Sequence, residues 1–517
     1  AGYMMYGGRM IILGNSGIRV GEDMTGGAIF VGGKVESLGS DAVLAEPTAE
    51  DLAFIAEFLG KYGISYDGGF KKIVPDGKQM HYRAAEPIGR PLPHTVFSES
   101  SVYWNAKTVD DIRVKSRIGR YRIRGYGTAR PLPHFSDIAL KVDPSRIGIG
   151  DPLKAVNLHT TLGGRFGAKP LDLSMPVMIA PMSYGALSKS MKIALAVASR
   201  LSGTVENTGE GGMLPEEREE ASQLIFQCLS GRLGWNIHDM LKADALEIYI
   251  SQGAKPGLGG QLMAKKVTKA LAEIRGIPEG IDLRSPSRHP DILGADDLVI
   301  KIEELREATS YEKPISMKMG AGRVRDDIKI AYKDGFDFVQ IDGLQGSTGA
   351  ASAEVIENVG VPTLAALCEA RRGLAEIDYR DDMPIVMMGG IKDGVDAVKA
   401  LALGADAVAM GTSMLIAGGC ISCMQCHVGN CVVGIATQDP EHEARFQRDC
   451  RAQGMHRFLE AVRWQIAALT AALGHSDFRE LCRDDLVALT PEAADITGLP
   501  CDPSYRGRTA ERVSEVA

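Results

Sequence analysis

The chain has 517 residues, 45% of them apolar, and a net charge of −8 from 58 basic and 66 acidic side chains. Such a length and apolar share allow a large buried core and argue against a disordered chain. The mixed, mildly acidic charge argues against a nucleic-acid surface, and the longest apolar stretch, residues 398–419, is interrupted by Lys399 and Asp406, against a membrane span.

The first 45 residues carry a short repeat. Gly7-Gly8-Arg9-Met10-Ile11-Ile12-Leu13-Gly14 returns nineteen residues later as Gly26-Gly27-Ala28-Ile29-Phe30-Val31-Gly32-Gly33. Paired glycines, a run of mainly apolar residues, then glycine read as one rung of a β-solenoid, with a glycine-rich meander as the alternative. A rung cannot bury its face alone. Only two are visible, so this end is expected to be covered by further residues or by another subunit. Thr48 before Glu50 and Asp51 predicts an N-cap and a helix reaching about Tyr62. Residues 66–150 are irregular. There, Arg90-Pro91-Leu92-Pro93-His94 is echoed by Arg130-Pro131-Leu132-Pro133-His134, read as two similar surface turns.

From about residue 174 short apolar runs alternate with helical patterns. Strands are expected at 175–180, 245–250, 315–319, 338–341, 385–388 and 407–410. This alternation predicts an α/β fold with a parallel sheet, either open or closed as a (β/α)₈ barrel. In a barrel the loops after the strands form the active face. Strand 385–388 runs into Gly389-Gly390, and strand 407–410 into Gly411-Thr412. Strand 338–341 runs into Asp342 and then Gly346-Ser347-Thr348. Glycines let backbone N–H groups approach phosphate oxygens, and a following helix N-terminus favours the anion. FMN fits better than a dinucleotide, because no G-x-G-x-x-G follows a strand.

Four of the nine cysteines, Cys420, Cys423, Cys426 and Cys431, crowd into one loop with the spacing C-x₂-C-x₂-C-x₄-C. Such thiolates can curl round an iron–sulfur cluster, with a structural zinc as the alternative. A clustered set of this kind points to a reducing, cytoplasmic compartment. Four thiols favour a four-iron over a three-iron centre.

Several long motifs carry a family resemblance. They are Pro181-Met182-Ser183-Tyr184-Gly185-Ala186-Leu187-Ser188, Asn207-Thr208-Gly209-Glu210-Gly211-Gly212, Ser251-Gln252-Gly253-Ala254-Lys255-Pro256-Gly257 and Gly346-Ser347-Thr348-Gly349-Ala350. In this order, and with the cysteine loop running into Val433-Gly434-Ile435-Ala436-Thr437-Gln438, roughly residues 110–500 resemble the synthase domain of glutamate synthases. The resemblance implies an FMN-binding (β/α)₈ TIM-type barrel over 151–500, with the iron–sulfur loop at 420–431. It implies the end of a glycine-rich β-helix plus a helix over 1–65, a connecting region over 66–150 and a tail over 501–517.

Residue roles follow from the same resemblance. Met182, Ser183 and Gly185 would line the flavin ring, Gln227 and Ser230 would touch its edge, and Lys318 would place a cation near flavin N1/O2. Gly346, Ser347, Thr348, Gly389, Gly390, Gly411 and Thr412 would hold the phosphate. Glu210, Lys255 and Gln261 would surround 2-oxoglutarate. The implied reaction is reductive amination of 2-oxoglutarate with ammonia through 2-iminoglutarate, the cluster feeding electrons to FMN. A glutaminase-type subunit and an electron-donor protein are the implied partners, in a homo- or hetero-oligomer. An N-methylglutamate synthase subunit using methylamine and a non-catalytic electron-transfer scaffold are the alternatives. Leu258, where the family often has an acidic residue, leaves the substrate open. Within the family pattern only Cys420, Cys426 and Cys431 bind, as a three-iron centre; Cys423 is a fourth thiol, and Val432 replaces a proline.

Overall fold

The glycine-flanked repeat sets the pairing of the first two strands. In the computed structural model, which describes residues 1–3, 5–22, 24–77, 103–142 and 151–501, Tyr6–Ile12 (β1) and Gly26–Val31 (β2) run parallel. Arg9 faces Ala28 and Ile12 faces Val31, so the nineteen-residue repeat is the register itself. A Ser16–Val35 bridge keeps the same offset, and a Val20–Leu38 bridge follows one residue shorter. Ala42–Ala45 (β3) leads into helix Ala49–Lys61 (α1), capped by Thr48 in a capping box with Asp51. Lys71–Pro75 (β4) then pairs antiparallel with both β2 and β3 and covers the outer edge of β2. Val20, Ile29, Val31 and Ile73 fill the small core beneath.

Contacts divide the chain into two compact units, Ala1–Arg122 with Gly260–Pro286, and Ile123–Gly259 with Ser287–Ala517. The second holds eight parallel strands: Val177–Ile179 (β5), Glu206–Asn207 (β6), Leu224–Cys228 (β7), Ala245–Tyr249 (β8), Ile315–Gly320 (β9), Phe338–Asp342 (β10), Ile385–Met388 (β11) and Ala407–Met410 (β12). Their order is β6-β7-β8-β9-β10-β11-β12-β5. The Ile179 N–H donates to Val205 O at 3.0 Å, which brings β5 back to the start of β6. The sheet is therefore a nearly closed barrel. All six strands expected from sequence are present. β6 and β7 were not anticipated as strands.

Side chains alternate across a strand, so every second residue points inward. The lowest inward layer is apolar: Met178, Val205, Ile225, Ala245, Phe338, Val386 and Ala407 pack with Leu162, Leu171 and Leu173 of a hairpin, Thr160–Leu162 with Leu171–Leu173. Two residues further along the strands the inward positions become Asn207, Gln227, Glu247 and Gln340. The barrel thus changes from an oily floor to a polar layer as it approaches the C-terminal strand ends.

Outside, Lys189–Ser202 (α2), Val324–Asp334 (α3), Thr363–Ala375 (α4) and Gly394–Ala402 (α5) link successive strands. Thr412–Ala417 (α6) follows β12, and the 25-residue helix Arg448–Ala472 (α7) packs on α2 and α5. Its buried Met455, Leu459, Val462 and Ile466 form one stripe at helical spacing. Each such side chain contributes about 1.5–3 kcal/mol of burial. Among the described residues no helix is long and apolar enough to cross a membrane.

Candidate active site

The strand ends gather most of the residues singled out from sequence. Gly389 and Gly390 leave β11 with φ of 103° and 80°, in the left-handed region that favours glycine. A Cβ on Gly389 would lie 2.8 Å from Gly343 N, so the β10 and β11 loops touch backbone to backbone. Thr412 Oγ1, at the start of α6, donates to Ser347 Oγ at 2.8 Å. Thr348 exchanges backbone hydrogen bonds with Tyr126. Gly346 sits above Asp342, whose Oδ1 would be 2.5 Å from an added Cβ. Gly411 caps α6.

These loops open onto a cavity of about 400 Å³ lined by Ser347, Gly390, Lys392, Thr412 and Ser413, with Tyr126 and Met424 on its wall. Hydroxyls, a glycine backbone, a lysine and the helix start of Thr412 are what a phosphate monoester requires. The donor chemistry therefore fits a phosphate monoester, for which Ser347, Gly390 and Thr412 are the candidate contacts. Lys392 and Ser413 were not anticipated from sequence.

Inward from the cavity lies the polar layer. Gln227 Nε2 donates to Glu247 Oε1 at 2.6 Å, and Gln340 Nε2 donates to Glu247 Oε2. Lys318 Nζ reaches Asp342 Oδ2 at 3.4 Å and Met388 Sδ at 2.8 Å. Burial pushes the Glu247 carboxyl above the usual carboxylate range, while the Lys318 charge and the Gln227 hydrogen bond pull it down. Lys318 and Gln227 were expected here; Glu247, Gln340 and Asp342 were not. The available signal was a charge at the centre of Ala245–Tyr249, an otherwise apolar strand.

Met182 and buried Ser183 follow β5, and Gly185 turns there with φ of 106°. The loop after β6 presses on them. Gly209 has φ of 67°, and a Cβ on it would lie 2.4 Å from Ser183 N. Gly209→Ala is expected to cost about 2–4 kcal/mol, since both the φ and a rigid backbone neighbour oppose it. Thermal unfolding beside the unmutated chain checks this.

Glu210 stands on this loop, partly buried. Burial drives the Tyr249 hydroxyl well above the usual range, and the Glu210, Asp342 and Glu247 charges add to it. Tyr249 donates to Gln252 Oε1 at 3.1 Å, in the turn that leads to Lys255. Asp342 Oδ2 accepts from Gly253 N at 2.9 Å and holds that turn. Lys255 is 3% exposed and makes no ion pair among the described residues. Ser230, on the loop after β7, is buried. Gln261 falls in the first unit, on a two-residue strand paired with Leu283–Arg284.

The cysteine loop follows α6 and borders the cavity through Met424. Cys420, Cys426 and Cys431 are half-buried, and Cys423 is exposed. Tyr126 Oη lies 3.6 Å from Cys420 Sγ and 2.9 Å from Ser422 Oγ. The donor types suit an iron–sulfur cluster. Among the described residues, however, no three His, Cys, Asp or Glu side chains are grouped closely enough to hold a metal ion.

Parallel strands whose C-terminal ends gather a cavity lined by hydroxyls and glycine, a buried polar layer and a buried lysine form the kind of barrel in which active sites lie at the strand ends. The family model described as the conserved region in glutamate synthase matches residues 160–476. The chain belongs to that family. It is 40% identical over 425 residues to a glutamate synthase large subunit-like protein of Rhizobium meliloti, covering 79% of this chain and 96% of that one. It is 42% identical over 406 residues to an archaeal-type glutamate synthase (NADPH) of Thermotoga maritima, covering 74% and 78%. Among solved structures, the flavin-binding domain of baker's yeast flavocytochrome b2 is similar at TM-score 0.43 and 18% identity, over 68% of this chain and 76% of that one. The relatives, not this distant likeness, carry the assignment.

Proposed function

We propose that this chain is an FMN-dependent oxidoreductase that converts 2-oxoglutarate and ammonia to glutamate. The observation that supports it most is the pairing of a phosphate-type cradle at the β10, β11 and β12 ends with Lys255, a buried lysine that makes no ion pair among the described residues. Ammonia condenses with the 2-oxo group and water leaves, giving 2-iminoglutarate. Reduced FMN, when bound, supplies the hydride for that carbon. Lys255 pairs with a substrate carboxylate and fixes which face is presented. Glu210, on the opposing loop, orients the nitrogen and holds a proton for it. Lys318 would offer the positive charge that an anionic reduced flavin requires. Leu229 and Leu233, buried around Ser230, help exclude water.

Cys420, Cys426 and Cys431, the half-buried thiols, are the residues that would hold an iron–sulfur cluster, which supplies one-electron transfer when bound. The relatives' names include "large subunit-like" and "NADPH". We assign this chain a partner protein through which NADPH-derived electrons arrive, and a second that delivers ammonia.

The test is cofactor content. Protein purified in the dark and denatured is expected to release one FMN per chain. Recovery of FAD, or of no flavin, overturns the proposal.

A further inference from the structure

Glu247 takes no part in the chemistry above, yet it sits at the centre of the buried polar layer. It is fully buried on β8. One carboxyl oxygen receives Gln227 from β7, the other Gln340 from β10. In register, Gln227 faces Glu247, and Lys318 faces Gln340. Glu247 thus joins two strands on either side of its own, although β9 lies between it and Gln340.

An ionised carboxylate can only accept hydrogen bonds, whereas an amide has one accepting end and one donating end. An ionised Glu247 therefore allows each glutamine a single orientation. The NH₂ groups face inward to the carboxylate, and the amide oxygens face away from it. Gln340 shows the consequence. Its Oε1 is buried and has no hydrogen-bond partner among the described residues, while its Nε2 is engaged with Glu247 and lies 3.5 Å from Ser316 Oγ. A buried, unpartnered acceptor is costly, so something must hold the amide that way. Burial works against ionisation of Glu247, but both of its oxygens accept from amide NH₂ groups, the pattern of a carboxylate, and the Lys318 charge and the Gln227 hydrogen bond support that form.

We propose that Glu247 is a positioning residue for the flavin: its carboxylate locks the Gln227 and Gln340 amides so that both offer oxygen acceptors, the partner that the ring's N3–H donor requires. This rests on the FMN reading above. A neutral residue of the same shape, as in Glu247→Gln, must turn one of its own ends to each glutamine. One of the two amides is then forced to flip, and presents a donor where an acceptor was.

The experiment uses the full chain. FMN affinity is measured by flavin fluorescence quenching on titration into protein stripped of flavin. The visible spectrum and midpoint potential of the flavin are recorded on reconstituted samples. Glu247→Gln is expected to weaken FMN about tenfold, the loss of one charge-assisted contact, and to shift the spectrum and potential. Gln227→Met in that background should add less than it does alone, because the two residues act through one contact. Equal affinity, spectrum and potential in Glu247→Gln overturn the inference while leaving the FMN reading intact. An unmutated chain that binds no FMN overturns both. If Glu247→Gln does not accumulate as folded protein, Gln340→Met is measured instead. It removes one of the amides that the carboxylate holds and must move the same spectrum and potential; unchanged values overturn the inference.

Discussion

Lys192→Met is expected to destabilise the barrel by about 3–5 kcal/mol, the usual cost of stranding a buried charge. Lys192, on α2, is fully buried. Its Nζ lies 2.9 Å from Glu206 Oε1, 2.8 Å from Glu217 Oε1 and 3.1 Å from Asn207 O. Both carboxyls are fully buried too. One ammonium cannot balance two carboxylates, so the triad retains a proton. Burial lifts Glu206 from 4.5 to about 8, against the pull of Lys192 and with the Glu217 charge adding to the rise. A folded-state pKa above the ordinary one means that the folded chain binds the extra proton. Stability is then fully present below 4.5 and is lost as pH rises towards about 8. Melting curves at about pH 5 and about pH 8 should show the unmutated chain weaker at the higher pH. In Lys192→Met the two carboxyls lose the cation between them, so the fall with pH should be steeper. A variant as stable as its parent at both pH values would show that the triad contributes nothing.

How much of this was legible in the sequence depends on how each strand is buried. The expected strands, such as Ile385–Met388 and Ala407–Met410, are runs of apolar residues ending in glycine, because both faces of a barrel strand are covered. β6 is Glu206–Asn207 alone, and two polar residues carry no apolar signal. β7 hides Gln227 inside Leu224–Cys228 and reads as a mixed run. Residues 260–286 follow the last glycines of the Lys255 turn and pack with the first unit, a grouping that no local pattern announces. The second Arg-Pro-Leu-Pro-His echo is partly explained. His134 Nε2 lies 3.0 Å from Gly390 O, next to the cavity loops. The first, at residues 90–94, lies outside the described residues, as does nearly all of the tail expected from residue 501.

The candidate site divides along the same line. Glycine, serine and threonine at strand ends are visible as text, because their spacing follows the strands. Glu247, Gln340 and Asp342 are not, because each is a single polar letter among apolar neighbours. Their meaning appears only when the barrel brings β7, β8, β9 and β10 into one ring. The cysteines show the opposite case. The spacing C-x₂-C-x₂-C-x₄-C is plain in the sequence, but their exposures differ: Cys423 faces solvent, while Cys420 and Cys431 pack against the core. That difference is one the spacing does not carry, because exposure depends on how the loop packs.

Lys255→Ala is expected to weaken 2-oxoglutarate binding by about 2–5 kcal/mol, the measured range for removing one partner of a buried charge pair. That corresponds to a loss of roughly 30-fold to several thousandfold. The reason is desolvation. Lys255 is 3% exposed and lacks an ion pair among the described residues, so a substrate carboxylate entering beside it gains a partner that water cannot screen. Without the lysine the carboxylate must leave water and receive nothing in return. The same reasoning gives the opposite sign for the ligand-free chain. A buried ammonium with no counter-charge among the described residues is itself unfavourable, so Lys255→Ala should unfold at the same temperature as the parent or higher. Flavin should stay bound, since the cradle lies at the β10, β11 and β12 ends. Titrating 2-oxoglutarate against the flavin absorbance of both proteins, with melting curves beside it, separates the outcomes. A variant that is less stable and also loses flavin would mark Lys255 as structural. A parent whose flavin spectrum ignores 2-oxoglutarate would remove the substrate proposal and leave a flavin-binding electron-transfer scaffold.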